Sequence, residues 1–386
     1  MESFKFEVKT NVIFGEGKTI ELIEIIKSNF FKSVVMIIDK ALEKNEYLNN
    51  TLQKIKSEGI LLDIIYNDVK EEPTYDYLDE FKSKLLKDYD CIIGVGGGST
   101  LDLSKGMATL LKNPGKALNY RGFPELKNKS LPVIAIPTTA GSGSEATYNA
   151  VFTEVSEKRK LGINSKFNFP IYSILDPTLT LSCPEKPTVS SGADALVHCI
   201  ETFVVKTTNP YSKMFAKEAF RLLFNNLPKV MNNLNDLDAR GKVLLGSHFA
   251  GVAIMNAGSA GISGAMTYPL GGVFKVPHGI AGGIFLTPVI KLNVKKGFKG
   301  YQELYDCITG ADNSLNAEKK NLEFVKNTEK LSFILKIPTK LFEVGVSREN
   351  ITFLIDYLFN NLKGAVQNNP VEFTKEDMLK ILEEMF

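Results

Sequence analysis

Short apolar segments alternate with helical patterns through the first half of the chain, and this alternation restricts the fold more than any other feature. Apolar residues recur at helical spacing in residues 19–30, 45–57 and 75–87. Between these stretches, five runs rich in β-branched residues predict buried strands: 34–39, 62–66, 91–95, 133–136 and 172–175. Near-continuous apolar strands separated by helices are typical of a parallel sheet covered on both faces.

The second half of the chain has a different pattern. From about residue 186 the β-branched runs thin out, and long helical patterns replace them at residues 211–226, 239–255, 317–335, 348–362 and 374–385. We therefore predict two domains, an α/β domain at residues 1–185 and an all-α domain at residues 186–386.

Composition excludes several classes of partner. The chain of 386 residues has a net charge of +2 and no long basic run, so neither nucleic acid nor an anionic membrane is an expected partner. The first eight residues alternate as a strand does and carry no signal-peptide apolar block. No apolar run reaches the ~18 residues that a membrane span needs. The four cysteines have no paired spacing, which favours reduced thiols and a cytoplasmic protein.

The third strand ends in three glycines, Gly96, Gly97 and Gly98. Ser99 follows as a predicted helix N-cap, with Asp102 three residues later in the manner of a capping box. Glycines let a backbone approach a diphosphate closely, and a helix N-terminus supplies N–H groups that bind anions. The alternative is a tight turn without a ligand. The spacing differs from GxGxxG, and no P-loop lysine follows.

Two further features point to a dinucleotide. Asp39 closes the first predicted strand, where an acid often receives the ribose hydroxyls and disfavours a 2′-phosphate; this favours NAD over NADP. Hydroxyl and glycine residues at 137–147 follow the fourth strand directly and suit a phosphate or a nicotinamide amide. Alone, that segment could also be a polar turn.

Asp194 and His198 are four residues apart in a predicted helix. Residues i and i+4 share one helix face, so a carboxylate oxygen and an imidazole nitrogen converge there and form half of a divalent-metal site. An ordinary Asp–His contact is the alternative interpretation.

Four motifs together resemble the iron-containing (group III) alcohol dehydrogenases of the dehydroquinate synthase-like superfamily. They are the glycine turn at 94–102, PTTAGSGSEAT at 137–147, DALVHCIE at 194–201 and VPHG at 276–279. The resemblance implies a Rossmann-like N-terminal domain, a helical C-terminal domain and an active-site cleft between them. It also implies hydride transfer between NAD and an alcohol carbon at a divalent metal, usually iron or zinc, in a chain that usually forms a homodimer.

The resemblance further implies the site residues. The metal ligands fall on Asp194, His198 and His278, with His278 also near the substrate. The cofactor contacts fall, beside Gly96, on Asp39, Gly97, Gly98, Ser99, Asp102, Thr138, Thr139, Asn149, Lys160 and Leu179.

The chain departs from the family pattern at the remaining metal ligand. That position is Gly264, which has no side chain to coordinate a metal, and the second histidine of the same stretch is replaced by Tyr268. Three protein ligands can still hold a catalytic zinc. Alternatively, the site lacks metal and Tyr268 acts as a general acid toward the carbonyl oxygen. His248 is a further candidate for a substitute ligand, or else a core histidine.

A second resemblance concerns the substrate. Residues 113–115, 120–122 and 159–165 resemble the branch of the family that oxidises the terminal hydroxyl of an eight-carbon sugar acid. We expect an NAD-dependent oxidoreductase that interconverts an alcohol with an aldehyde or ketone, with a sugar or sugar acid as a candidate substrate. The alternatives are a superfamily relative that performs elimination on a sugar phosphate or sugar acid, and a cofactor-binding homologue with impaired catalysis.

Overall fold

The computed structural model describes residues 3–69, 72–157, 159–258 and 260–386, without the side chain of Arg159. The chain divides into two compact units. The first comprises Val8–Pro184, and the second comprises Glu185–Phe386 together with the segment that ends at Glu7.

The segment before Val8 corrects the predicted domain at residues 1–185, because it packs with the helical unit. The N–H of Glu7 donates to Oδ1 of Asn256 at 2.7 Å, and the ring of Phe6 stacks on Tyr211 with centroids 5.0 Å apart. The expectation of a strand at residues 1–8 is wrong for the described residues from 3 onward. The alternating pattern arises because Phe4 and Phe6 both pack on aromatic residues of the helical unit.

The first unit contains the predicted parallel sheet. Its six strands are all parallel and lie in the order β1-β8-β5-β4-β2-β3. The remaining pair, β6 and β7, forms an antiparallel hairpin. The strands are β1 Asn11–Phe14, β2 Ser33–Asp39, β3 Leu61–Asn67, β4 Cys91–Gly96, β5 Val133–Pro137, β6 Val151–Glu154, β7 Arg159–Gly162 and β8 Tyr172–Leu175.

Helices cover both faces of this sheet. Alternate residues of β2 enter different cores: Val34 and Met36 pack on one face, and Val35 and Ile37 on the other. All four side chains are fully buried, which explains the unbroken apolar run in the sequence. The helices of this unit are α1 Leu22–Ser28, α2 Glu46–Ser57, α3 Tyr75–Lys82, α4 Gly98–Lys112 and α5 Pro177–Thr180.

The strand order reverses beside β2, which is hydrogen-bonded to both β3 and β4. Asp39 and Gly96 end β2 and β4 at the same edge of the sheet. In open α/β sheets, ligands bind outside the carboxyl ends of the strands at such a reversal. The fold therefore places the glycine turn where a nucleotide is expected.

One buried carboxylate ties together the carboxyl end of β8. Asp176 is fully buried and accepts hydrogen bonds from the Tyr47 hydroxyl at 2.7 Å and from the N–H and hydroxyl of Thr19 at 2.9 and 2.8 Å. Burial alone would raise the pKa of Asp176, but these donors outweigh it and lower the pKa below its usual value.

The described residues of the second unit form helices joined by turns and loops, with no strand. The central helix α6 packs against α7, α8, α9 and α10. The helices are α6 Glu185–Val204, α7 Pro210–Asn232, α8 Leu237–Ala257, α9 Ile262–Phe274, α10 His278–Lys295, α11 Gln302–Tyr305, α12 Ala317–Ile334, α13 Ile351–Asn361, α14 Lys363–Asn368 and α15 Lys375–Glu384.

Within the described ranges, no single helix is both long and apolar enough to cross a bilayer. Judged by length and composition alone, only α8 and α9 taken together meet that criterion, and they are bent by 100°.

Some helices end at a non-glycine residue in the left-handed region. Phe30 follows α1 with φ +58°, and its side chain is 84% exposed. The N–H of Phe31 then donates to the carbonyl of Ile26 at 3.0 Å, as in a Schellman ending. Lys275 is the C-cap of α9 with φ +59°, and the N–H of Val276 after it donates to the carbonyl of Leu270 at 3.2 Å.

Candidate functional site

The glycine turn connects β4 to α4 without an intervening loop. Helix α4 begins at Gly98 with Gly97 as its N-cap, and no side chain caps it. The predicted N-cap at Ser99 is therefore wrong, because the N-cap is Gly97, two residues earlier. Asp102 also forms no capping box, since its carboxylate accepts hydrogen bonds from the Ser144 hydroxyl and the Val151 N–H at 2.5 and 2.9 Å.

The 138–149 loop lies directly against this turn. The N–H of Thr138 donates to the carbonyl of Gly96 at 3.0 Å. A Cβ added to Gly97 would lie 3.3 Å from Oγ1 of Thr139, and one added to Gly98 would lie 2.8 Å from the Ser142 side chain. Close packing therefore disfavours a side chain at Gly97 and more strongly at Gly98. The N–H groups in the first turn of a helix are of the kind that binds anions.

The remaining predicted cofactor residues differ in what their side chains contact. Asp39 lies next to Gly96, and its Oδ1 accepts the Ala41 N–H at 3.0 Å. Lys160 on β7 forms an ion pair with Glu72. Leu179 is fully buried in the core. The carbonyl of Asn149 accepts a hydrogen bond from Lys105.

The predicted metal ligands converge within the helical unit. Asp194 and His198 lie one turn apart on α6, with Oδ1 of Asp194 at 3.4 Å from Nε2 of His198. His278 begins α10, and its Nε2 lies 3.7 Å from the same Asp194 oxygen. The side chains of Asp194 and His198 are 11% and 15% exposed, whereas that of His278 is 39% exposed. The cluster is therefore buried at α6 and open at His278.

Gly279 makes this convergence possible. A Cβ at Gly279 would lie 1.7 Å from the carbonyl oxygen of Ser190 and 3.0 Å from Cβ of Asp194. Only a residue without a side chain lets α10 begin this close to α6. The sequence motif contained Gly279, but its role in placing His278 was not predicted.

One carboxylate and two imidazoles are a donor set of the kind that binds a divalent metal. As the side chains stand, the described part of the chain contains no group of three His, Cys, Asp or Glu side chains gathered closely enough to hold a metal ion. Bonds of about 2.0–2.2 Å in tetrahedral geometry separate two ligand atoms by about 3.4 Å. The separation of 3.4 Å between Asp194 and His198 matches that value, and the 3.7 Å between Asp194 and the partly exposed His278 exceeds it by about 0.3 Å.

Gly264 lies in the first turn of α9, above a buried carboxylate. Glu201 is 5% exposed and accepts the N–H groups of Gly261, Ser263 and Gly264 at 2.9, 2.6 and 3.1 Å. Burial raises the pKa of Glu201, although these hydrogen bonds oppose the shift. A Cβ at Gly264 would meet a Glu201 oxygen and Cβ of Ala260, both at 3.0 Å. A side chain at 264 therefore requires Glu201 to move.

Two other candidates lie elsewhere in the same unit. Tyr268 is half-buried on α9, within a turn of Gly264. His248 is 3% exposed in the middle of α8, where its ring neighbours Phe249. The structure thus places His248 in a core position.

The segments that resemble the sugar-acid branch are adjacent in the first unit. Gly122 donates its N–H to the carbonyl of Gly162 at 2.7 Å and accepts the N–H of Asn164 at 2.9 Å. Arg121 forms ion pairs with Glu154 and Glu157, which raise the pKa of its guanidinium. Because carboxylates already surround it, Arg121 is a poor partner for the acid group of a sugar acid.

Comparison with known proteins identifies the family. The protein-family model described as "Iron-containing alcohol dehydrogenase" matches residues 9–177. A second family model, described as "Fe-containing alcohol dehydrogenase family, C-terminal", matches residues 188–386. The chain belongs to the iron-containing alcohol dehydrogenase family. The resemblance seen in the motifs is confirmed.

Relatives within this family cover nearly the whole chain. Long-chain-alcohol dehydrogenase 1 of Geobacillus thermodenitrificans is 31% identical over 96% of this chain and 94% of its own length. An alcohol dehydrogenase structure from Oenococcus oeni has a TM-score of 0.91 at 30% identity, with 100% of both chains covered. A sulfoacetaldehyde reductase from Bifidobacterium kashiwanohense, solved with NAD+, has a TM-score of 0.89 at 26% identity and covers 100% of this chain and 99% of its own.

Family membership confirms three predictions. The fold is an α/β domain with a parallel sheet, followed by a helical region. The protein is an NAD-dependent oxidoreductase of alcohols and aldehydes. Its cofactors are NAD and a metal, which in this family is usually iron.

Proposed function

We propose that this iron-containing alcohol dehydrogenase uses NAD in preference to NADP and holds its divalent metal with only three side chains, Asp194, His198 and His278. The observation that best supports the metal site is that Nε2 of His198 and Nε2 of His278 lie 3.4 and 3.7 Å from the same Asp194 oxygen. When bound, NAD exchanges a hydride with the alcohol carbon, and the metal is a Lewis acid for the substrate oxygen.

The chain's residues bind and orient these groups. Asp194 is the anionic ligand and the most buried of the three, so it fixes the site to α6. His278, at the open side, is placed by the contact of Gly279 with α6 and lies where a substrate oxygen can approach. The glycine turn and the 138–149 loop receive the diphosphate, and Asp39 receives the adenosine ribose and disfavours a 2′-phosphate.

Tyr268 gives the second candidate mechanism. It occupies the position of a family histidine near the substrate, and its hydroxyl could donate a proton to the carbonyl oxygen in a site without metal. Its location one turn from Gly264 on α9 supports a place near the substrate. We assign Tyr268 a substrate contact and keep metal-free catalysis as the alternative.

The decisive experiment measures metal and nucleotide binding together. Elemental analysis of purified protein should give about one divalent metal per chain, lost in His198→Ala and retained in His248→Ala. Loss of metal in His248→Ala would instead show that His248 is a substitute ligand. Activity that survives a chelator but fails in Tyr268→Phe would contradict the three-ligand proposal and support the metal-free mechanism.

Fluorescence titration tests the nucleotide. NADH should bind with a lower Kd than NADPH. In Asp39→Gly the ratio of the two Kd values should be closer to one. Equal binding of both by the wild type would contradict the role of Asp39, and binding of neither would contradict the nucleotide site. The metal-retaining wild type should reduce aldehydes with NADH, which an impaired homologue would not. The homodimer, the cytoplasmic location and the sugar-acid substrate stay predictions from the sequence.

A further inference from the structure

A single lysine lies buried beneath the proposed nucleotide corner. Lys105 is on α4, two turns after the glycine turn, and its side chain is 1% exposed. Lysine is almost never fully buried unless it is paired, so this position requires an explanation.

The ammonium group of Lys105 is surrounded by oxygen atoms. It donates to the backbone carbonyls of Ser144 and Thr147 at 2.9 and 3.4 Å, and to that of Asn149. The carboxylate of Asp102 lies 3.0 Å away. Three N–H donors facing four acceptors favour the charged ammonium, although burial lowers the pKa of Lys105 against the effect of Asp102.

Asp102, besides its ion pair with Lys105, also contacts the loop directly. Its oxygens accept the Ser144 hydroxyl at 2.5 Å and the Val151 N–H at 2.9 Å. The pair Lys105–Asp102 therefore contacts the loop at Ser144, Thr147, Asn149 and the start of β6. This is the second half of the loop whose first half packs on Gly97 and Gly98.

We propose that Lys105 and Asp102 are positioning residues for the dinucleotide, which act by fixing the shape of the 138–149 loop. This inference rests on the proposed nucleotide site and deepens it. Asp102 then affects cofactor binding through the loop, since its oxygens already contact protein donors. A buried ion pair contributes little net stability, and in some proteins buried polar groups specify a single conformation, which is the role proposed here.

The test compares NADH affinity among variants of the full-length, metal-loaded enzyme. Lys105→Met keeps the apolar stem and removes the charge, and we expect it to raise the Kd for NADH at least tenfold with bound metal unchanged. The double variant Lys105→Met with Asp102→Asn leaves no unpaired buried charge, so it folds more readily and should show the same loss. Lys112→Met, at the exposed end of the same helix, is the matched control and should bind as the wild type does.

Rescue distinguishes positioning by the ammonium from general packing. Lys105→Ala leaves a space that ends at three carbonyls and a carboxylate, into which ethylammonium fits. Added ethylammonium should lower the Kd for NADH of this variant severalfold, whereas ethanol and tetramethylammonium should not. A Kd in the double variant within about twofold of the wild type, or rescue by ethanol equal to that by ethylammonium, would overturn the inference. If the wild type itself binds no NADH, the proposed nucleotide site fails instead.

Discussion

Substitution of Gly279 by alanine should damage the metal site without changing any ligand. The added Cβ would lie 1.7 Å from the carbonyl oxygen of Ser190. A carbon normally stays about 3.3 Å from such an oxygen, so α10 must move roughly 1.6 Å from α6. The two nearest atoms, the carbonyl oxygen and carbon of Ser190, belong to the backbone of α6, so they cannot rotate away as a side chain can. That movement is most of the ~2.1 Å length of a metal–imidazole bond, and His278 would leave the site.

The energetic cost follows from the same contact. Overpacking of this severity costs about 3 kcal/mol. In a unit of roughly 200 residues, that corresponds to a lowering of the unfolding temperature by about 6–12 °C. Gly283→Ala is the matched control, one turn later on the same helix face, where the new Cβ would lie 3.3 Å from Cβ of Ala193. A gain in helix propensity of up to about 1 kcal/mol offsets that tighter contact.

Two measurements follow this prediction. Elemental analysis should show that Gly279→Ala retains well under one metal per chain, while Gly283→Ala retains the wild-type amount. Calorimetry should show the lower unfolding temperature only in the first variant. If Gly279→Ala keeps its metal and has the same unfolding temperature as Gly283→Ala, the reasoning about the close approach of α10 to α6 is refuted.

Three further predictions concern other positions. In Gly98→Ala the new Cβ would lie 2.8 Å from the Ser142 side chain. NADH binding should therefore weaken by about 1–3 kcal/mol, or roughly 5- to 150-fold in the Kd measured by fluorescence titration. Adding Ser142→Gly to this variant should restore most of the lost affinity. Phe30→Gly should raise the free energy of unfolding by about 1 kcal/mol in denaturant titrations, since an exposed side chain is removed from a left-handed residue; a decrease would contradict this. Asp176→Asn should destabilise the protein by about 1–3 kcal/mol at neutral pH. Because the folded pKa of Asp176 is lowered, this difference should be complete above about pH 4 and shrink as the pH falls further; a difference independent of pH down to about 3 would contradict the assignment.

The sheet was predictable because its strands are buried on both faces. Alternate residues of β2 enter two separate cores, so the sequence shows an unbroken apolar run. The edge strand β1 was missed because Val12 and Phe14 are more than 40% exposed and carry no such signal. The N-cap at Ser99 was misplaced, since glycine at Gly97 leaves the helix start to the backbone alone.

The candidate site was only partly predictable. The pairing of Asp194 with His198 follows from helix spacing, whereas the approach of His278 follows only from the family motif. Its physical cause is the contact of Gly279 with a distant backbone carbonyl, which no local pattern reveals. Lys105 left a clue, since it lies three residues after Asp102 and is the one charged residue in the sequence from 103 to 111. Its carbonyl partners depend on the path of a separate loop.

The pairing of Phe6 and Glu7 with Tyr211 and Asn256 has a consequence for synthesis on the ribosome. Residues 3–7 are translated before the sheet unit, yet the helices that they pack against are translated only after it. This segment therefore stays without its helical contacts while the sheet unit is synthesised. A bulky insertion next to residue 3 should accordingly disturb the folding of the helical unit more than that of the sheet unit.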